Sequence, residues 1–147
     1  MKSKVAQPIA VICTFTWIGF VCAISFLEAW LKFRAPGVTL PIGLGIGRLV
    51  FAALNKVEWV FAVAILISNI RTVRKISISP FYIIALLFLM IQTVWLLPAL
   101  DARAELYITG KTVPHSYLHF YYVIAEGIKI IALFIFGTKL FKPEIAS

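Results

Sequence analysis

ISISPFYIIALLFLMIQTVWLLPAL, residues 76–100, is the stretch that decides the fold of this chain. It contains 25 residues without any Asp, Glu, Lys or Arg. A helix rises about 1.5 Å per residue, so this run exceeds the roughly 30 Å of hydrocarbon in a bilayer. Residues 5–27 form a second charge-free run, of 23 residues. Each run therefore predicts a transmembrane helix.

The composition of the whole chain extends this prediction. Its 147 residues are 62% hydrophobic and 14% charged, with a mean hydropathy of +0.99, which excludes a soluble globular domain. Two further apolar segments are long enough to span but carry charges that protein neighbours must cover. We expect an all-α integral membrane four-helix bundle with up-down-up-down topology. Its single domain, residues 1–147, would have spans at about residues 6–31, 43–70, 77–100 and 115–138.

The basic residues predict an orientation in the membrane rather than a nucleic-acid partner. The net charge of +8 comes from residues scattered near the span ends, with no basic run interleaved with aromatic residues. With the N-terminus inside, the inner flanks hold Lys2, Lys4, Arg71, Arg74, Lys75, Lys139 and Lys142, and the outer flanks hold Lys32, Arg34, Arg103 and Lys111. The positive-inside rule then favours both termini in the cytoplasm, in a bacterial inner membrane. The first apolar stretch is too long for the apolar region of a signal peptide, so we expect an uncleaved first helix.

Polar side chains within the spans are predicted to lie at two depths. Counting from the basic residue at the inner end of each span places Glu58 and Glu126 level, roughly 20 Å from the inner face. The same count places these side chains within about a turn of them: Asn55, Lys56, Gln92, Tyr122 and Lys129. An outer mouth is predicted from Glu28, Arg48, Asp101 and Arg103. His119 falls between the two layers, on the same face of the fourth helix as Tyr122, Glu126 and Lys129.

Ionised side chains at this depth cost several kcal/mol unless they are paired or hydrated, so they usually face the bundle interior or a water-filled cavity. We therefore predict a polar intramembrane cavity that binds or transports a small solute or ion. Carboxyl and imidazole groups exchange protons, so a proton relay through these residues would couple solute transport to proton movement. The predicted binding or relay residues are Glu58, Glu126, His119, Lys129, Asn55, Tyr122 and Gln92. A carrier this small would need a homo-oligomer.

Two alternatives remain open from the sequence. In the first, Glu58 and Glu126 pair with Lys56 and Lys129, Glu28 pairs with Arg48, and the charges only lock the helices of an accessory subunit in a larger membrane complex. In the second, His115 and His119, spaced i, i+4, bind a transition metal with Glu28 or Asp101 in a membrane oxidoreductase. The chain has no P-loop, zincin motif or nucleophile elbow, so the sequence favours a role other than catalysis and predicts no required cofactor.

Four segments also resemble a bacterial family. WIGFVCAISFLEAWLKFRAPG (17–37), GIGRLVFAALNKVEW (45–59), LLPALDARAE (96–105) and LHFYYVIAEGIK (118–129) follow the order seen in uncharacterised four-span membrane proteins of a domain-of-unknown-function class. The resemblance implies a four-span fold without an assigned activity. It draws attention to Glu28, Arg48 with Phe51, Pro98 with Arg103, and His119.

Overall fold

Four long helices make up the computed structural model of the chain, in which residues 3–5, 7–72 and 78–143 are described. Helix α1 is Pro8–Arg34, α2 is Leu40–Thr72, α3 is Pro80–Ile108 and α4 is Leu118–Lys139. Short connections make successive helices antiparallel. The prediction of an all-α, up-down-up-down four-helix bundle is confirmed.

All four helices are long and apolar enough to cross a membrane. Their outer faces carry large apolar side chains that are strongly exposed, such as Leu49 at 76% and Val94 at 69%. A surface of this kind is stable against lipid and not against water. The structure therefore fits an integral membrane protein.

Three helix boundaries differ from the sequence expectation. Helix α2 begins at Leu40, three residues before the expected start of the span at residue 43. Helix α3 continues to Ile108 because Ala, Leu, Arg and Glu, all good helix formers, follow its apolar part. Helix α4 begins only at Leu118, after an irregular segment at residues 111–117.

Two of the helices contain a wider, π-helical stretch. In α1 it covers Cys22–Glu28, and in α3 it covers Gln92–Leu96. The second ends two residues before Pro98, which cannot donate the hydrogen bond that a regular α-helix requires at its position. A π-helical turn rotates the side chains that follow it, and such turns are frequent at functional sites.

The packing of α3 creates a cavity. Helix α1 packs against α2 and α4, whereas the first part of α3, Pro80–Ile91, packs against α4 and its last part, Leu97–Ile108, packs against α2. The tightly packed core therefore lies toward the termini, around Trp17, Tyr82 and Leu133. Toward the opposite end the helices enclose open space.

The two ends of the chain meet on one face of the bundle. Strand β1, Ser3–Val5, pairs antiparallel with strand β2, Phe141–Pro143, with Val5 opposite Phe141. A chain of four antiparallel helices has both ends on the same face of the bundle. Whether that face is cytoplasmic stays a prediction, because Lys2, Arg74 and Lys75 lie outside the described residues, as do the side chains of Lys4, Arg71 and Lys142.

Candidate functional site

Three ionisable side chains meet in the middle of the bundle: Glu58 of α2 with Glu126 and Lys129 of α4. They are 1%, 0% and 0% exposed. The Lys129 ammonium forms an ion pair with Glu58 and lies 2.9 Å from Glu126 Oε2. Glu126 and Lys129 face the same way because residues three apart share one side of a helix. We call these three residues the charge cluster.

The other two helices complete the charge cluster with neutral hydrogen-bonding groups. The Trp17 indole nitrogen donates to Glu58 Oε1 at 2.8 Å, and the Ser25 hydroxyl donates to Glu126 Oε1 at 3.2 Å. Lys129 itself donates to Gln92 Oε1 at 2.5 Å. All four helices therefore contribute to one buried polar group. Ser25 lies within the π-helical stretch of α1, and Gln92 is the first residue of the π-helical stretch of α3.

The charge cluster is not balanced. Two carboxylates share one ammonium, so the formal charge is −1 when all three groups are ionised, and no second cation contacts them within the described part of the chain. Glu126 Oε2 has ion-pair distance to Lys129 but not hydrogen-bond geometry. It and Gln92 Nε2 are buried atoms without a hydrogen-bond partner among the described residues. A buried polar atom without a partner is costly, so Glu126 Oε2 needs a hydrogen-bond donor or a cation, and Gln92 Nε2 needs an acceptor.

A cavity of about 530 Å³ lies next to the charge cluster, on the side away from the termini. Its floor contains Asn55, Thr93 and Tyr122. Asn55 precedes Glu58 by one helical turn, Tyr122 precedes Glu126 by one turn, and Thr93 follows Gln92 directly. The residues of the cavity floor therefore lie between the cavity and the charge cluster.

Thr93 organises the floor. Its hydroxyl accepts hydrogen bonds from the Asn55 amide at 2.9 Å and from the Trp59 indole at 3.0 Å, and donates to the Leu89 carbonyl at 2.8 Å. These bonds occupy the donor and both acceptor sites of a hydroxyl group. The position of Asn55 at the cavity is therefore fixed by α3.

An ion-pair network lies at the mouth of the cavity. The Arg48 guanidinium contacts both carboxylate oxygens of Asp101, at 2.5 and 3.0 Å, and also pairs with Glu105. The two acidic residues are about half exposed. Since both lie on the extended part of α3, the network ties the end of that helix to α2.

Several predicted site residues therefore come together in the structure, and others do not. Glu58, Glu126, Lys129 and Gln92 are in direct contact, and Asn55 and Tyr122 adjoin them. His119 lines the cavity from α4.

The expected pairing of charges is partly wrong. Glu58 and Glu126 share Lys129, while Lys56 points to the cavity. Glu28 pairs with Lys32 at 3.2 Å and not with Arg48. Glu28 and Lys32 lie one turn apart on α1, so their side chains are neighbours. Arg103 is directed away from the mouth and donates to the carbonyl of Pro114 at 2.6 Å.

The expectation that His115 and His119 share a helical face is also wrong. Helix α4 begins at Leu118, so His115 lies in the irregular segment before it, where its ring packs edge-on against Tyr117. Within residues 3–5, 7–72 and 78–143, no group of three or more His, Cys, Asp or Glu side chains is arranged to hold a metal ion. Metal binding by the histidine pair stays an untested prediction.

Sequence reasoning missed four side chains that complete the site: Trp17, Ser25, Thr93 and Glu105. The first three are neutral residues in strongly apolar runs, where nothing distinguishes them from packing residues. Glu105 carried a usable signal, because it follows Asp101 by four residues and so shares its helical face.

No family model matches the chain, and comparison with curated proteins and with solved structures finds no match either.

Proposed function

We propose that this integral membrane protein binds a small solute in its cavity and that the charge cluster below holds one exchangeable proton. The observation that carries the proposal is the position of an unbalanced, buried carboxylate pair directly beneath a cavity of about 530 Å³. This volume suits a small molecule. Solute movement and proton exchange would then occur within one helical turn of each other.

The proton follows from the cost of buried charge. An uncompensated ion in a membrane interior costs several kcal/mol, and two carboxylates on one ammonium leave one such charge. Protonation of Glu58 or Glu126 makes the charge cluster neutral. Tyr122 lines the floor of the cavity and lies one helical turn before Glu126, so proton exchange with the cavity has a short route.

Cysteine labelling tests whether water reaches the cavity. With Cys13 and Cys22 replaced by alanine, Ala52→Cys introduces a thiol into the cavity wall. Ala53→Cys is the matched control, since Ala53 is equally exposed but does not line the cavity. A water-soluble, membrane-impermeant thiol reagent should modify Ala52→Cys in liposomes and leave Ala53→Cys unmodified. Equal resistance of both would remove the solute-binding proposal.

Infrared difference spectroscopy tests the proton. The wild-type protein at neutral pH should show a protonated carboxyl band that shifts in heavy water. That band should disappear in Glu126→Gln and in Glu58→Gln, because each variant leaves one carboxylate paired with Lys129. A wild-type spectrum without a protonated carboxyl would contradict the proposal.

One observation favours a second function, that of an accessory subunit. The charge cluster draws hydrogen-bonding groups from all four helices, as a lock between helices would. A lock predicts that the protein purifies with partner chains and that the thiol of Ala52→Cys is unreactive. The labelling experiment therefore separates the two functions.

A further inference from the structure

One cation that lines the cavity has no partner among the described residues. Lys56 lines the cavity and is exposed, and it makes no ion pair or hydrogen bond with any residue that the structure describes. The other basic side chains of the cavity are neutralised. Lys32 pairs with Glu28 at 3.2 Å, and Arg48 pairs with acidic groups of α3.

Lys56 lies too deep to satisfy its charge in the lipid headgroups. It is 16 residues from the start of α2 and 14 from the end of the span at Ile70, so roughly 21–24 Å of helix separate it from either end. A lysine side chain extends toward the headgroups only from near a helix end. Its ammonium therefore needs an anion or water within the cavity.

The rest of the wall is suited to an apolar body. Phe33, Phe51, Leu97 and Leu100 line the cavity around Lys56. Along α2, Arg48, Ala52 and Lys56 follow one another at intervals of four residues and so form one stripe from the mouth to the floor. A ligand that lies along this stripe passes the ion pairs of Arg48 at the mouth, then contacts apolar side chains, and reaches the Lys56 ammonium at its inner end.

We propose that the ligand of this cavity is an amphipathic organic anion, with its acidic group on Lys56 and its apolar body against Phe33, Phe51 and Leu97. The imidazole of His119 also lines the cavity and supplies a second polar contact. This inference rests on the proposed solute-binding function and names its substrate class. The same chemistry is offered by a soluble carboxylate and by an anionic lipid.

Fluorescent probes of matched length test the class of ligand. The wild-type protein in nanodiscs of zwitterionic lipid should bind dansyl-labelled undecanoate saturably, and should bind the dansyl-labelled undecylamine and the methyl ester of the acid at least about tenfold more weakly. Lys56→Gln should weaken the carboxylate about tenfold or more, since it loses a hydrogen bond between charged groups. Lys56→Arg should retain most of the affinity.

Lys111→Gln is the matched control, because it removes the same charge from a residue that does not line the cavity. It should bind the carboxylate as the wild type does. Size-exclusion profiles establish that each variant is folded, and Lys56→Arg keeps the test informative if Lys56→Gln is not. Displacement of the probe by octanoate would identify a soluble ligand, and displacement by phosphatidylglycerol a lipid; either result supports the anion.

Equal affinity for the carboxylate and the amine, or an unchanged carboxylate affinity in folded Lys56→Gln, would overturn this inference. Labelling of Ala52→Cys would still support a hydrated cavity in that case. Failure of the labelling together with absence of binding by every probe would remove the proposed function as well.

Discussion

Opposite substitutions in the charge cluster should have very different effects on stability. With all groups ionised the cluster carries −1, so Glu126→Gln brings it to zero and Lys129→Met brings it to −2. At 2.9 Å the attraction between Lys129 and Glu126 is about 6 kcal/mol for an effective dielectric constant of about 20. Desolvation of each ion costs several kcal/mol and offsets most of this gain.

Glu126→Gln removes the attraction between Lys129 and Glu126. It also removes two unfavourable energies, the desolvation of the Glu126 carboxylate and its repulsion with Glu58. The free energy of unfolding should therefore stay within about 1 kcal/mol of the wild-type value, because a matched pair of Glu58 and Lys129 remains. Lys129→Met leaves two buried carboxylates without a cation and should lose about 3–5 kcal/mol. Adding Glu126→Gln to Lys129→Met should recover part of that loss.

Reversible unfolding in mixed micelles with increasing dodecyl sulfate measures these differences, with circular dichroism as the signal. The refuting result is a Glu126→Gln variant that is as unstable as Lys129→Met. Both carboxylates would then be equally required, and the cluster would contain no excess negative charge. The double variant guards against a purely steric effect of the methionine.

Three further substitutions test individual parts of the bundle by the same unfolding measurement. Arg48→Gln should lower the free energy of unfolding only slightly, and less at high salt, because the ion pairs at the mouth are partly exposed; an effect independent of salt would contradict this. Thr93→Val leaves the Asn55 amide and the Trp59 indole without their acceptor and should cost about 1–3 kcal/mol, whereas Thr93→Ser should have a smaller effect. Gly137→Ala should cost about 1–3 kcal/mol, because its Cβ would lie 2.9 Å from the ring of Phe15, while Gly127→Ala, with open space around it, should be nearly neutral.

The fold could be predicted because charge-free runs such as residues 76–100 have few alternatives to a membrane helix. The ends of the helices were less predictable. Apolar character ends near Leu100, but helix propensity does not, so α3 extends to Ile108 and brings Glu105 to Arg48. Hydropathy therefore predicts where the chain leaves the membrane, but it does not predict where the helix ends.

The depth of each site residue in the membrane was predictable, but the direction in which its side chain points was not. A fixed rise of about 1.5 Å per residue places Glu58, Gln92 and Glu126 at one level whatever their neighbours are. Which groups touch depends on the rotation of each helix, and the π-helical stretches of α1 and α3 change that rotation. Sequence periodicity assumes 100° per residue, so it could not place Ser25.

The excess carboxylate favours the proposed functional site over a structural lock between helices. A lock is most stable with one carboxylate for each ammonium, and a second buried carboxylate weakens it. Here Glu126 adds such a group, and α1 and α3 both depart from regular helix at the residues that contact the cluster, Ser25 and Gln92. Departures of this kind are rare and are frequently found at functional sites. The combination, located beneath a cavity lined by Lys56, which has no partner among the described residues, supports the proposed proton exchange and anion binding over a purely stabilising role.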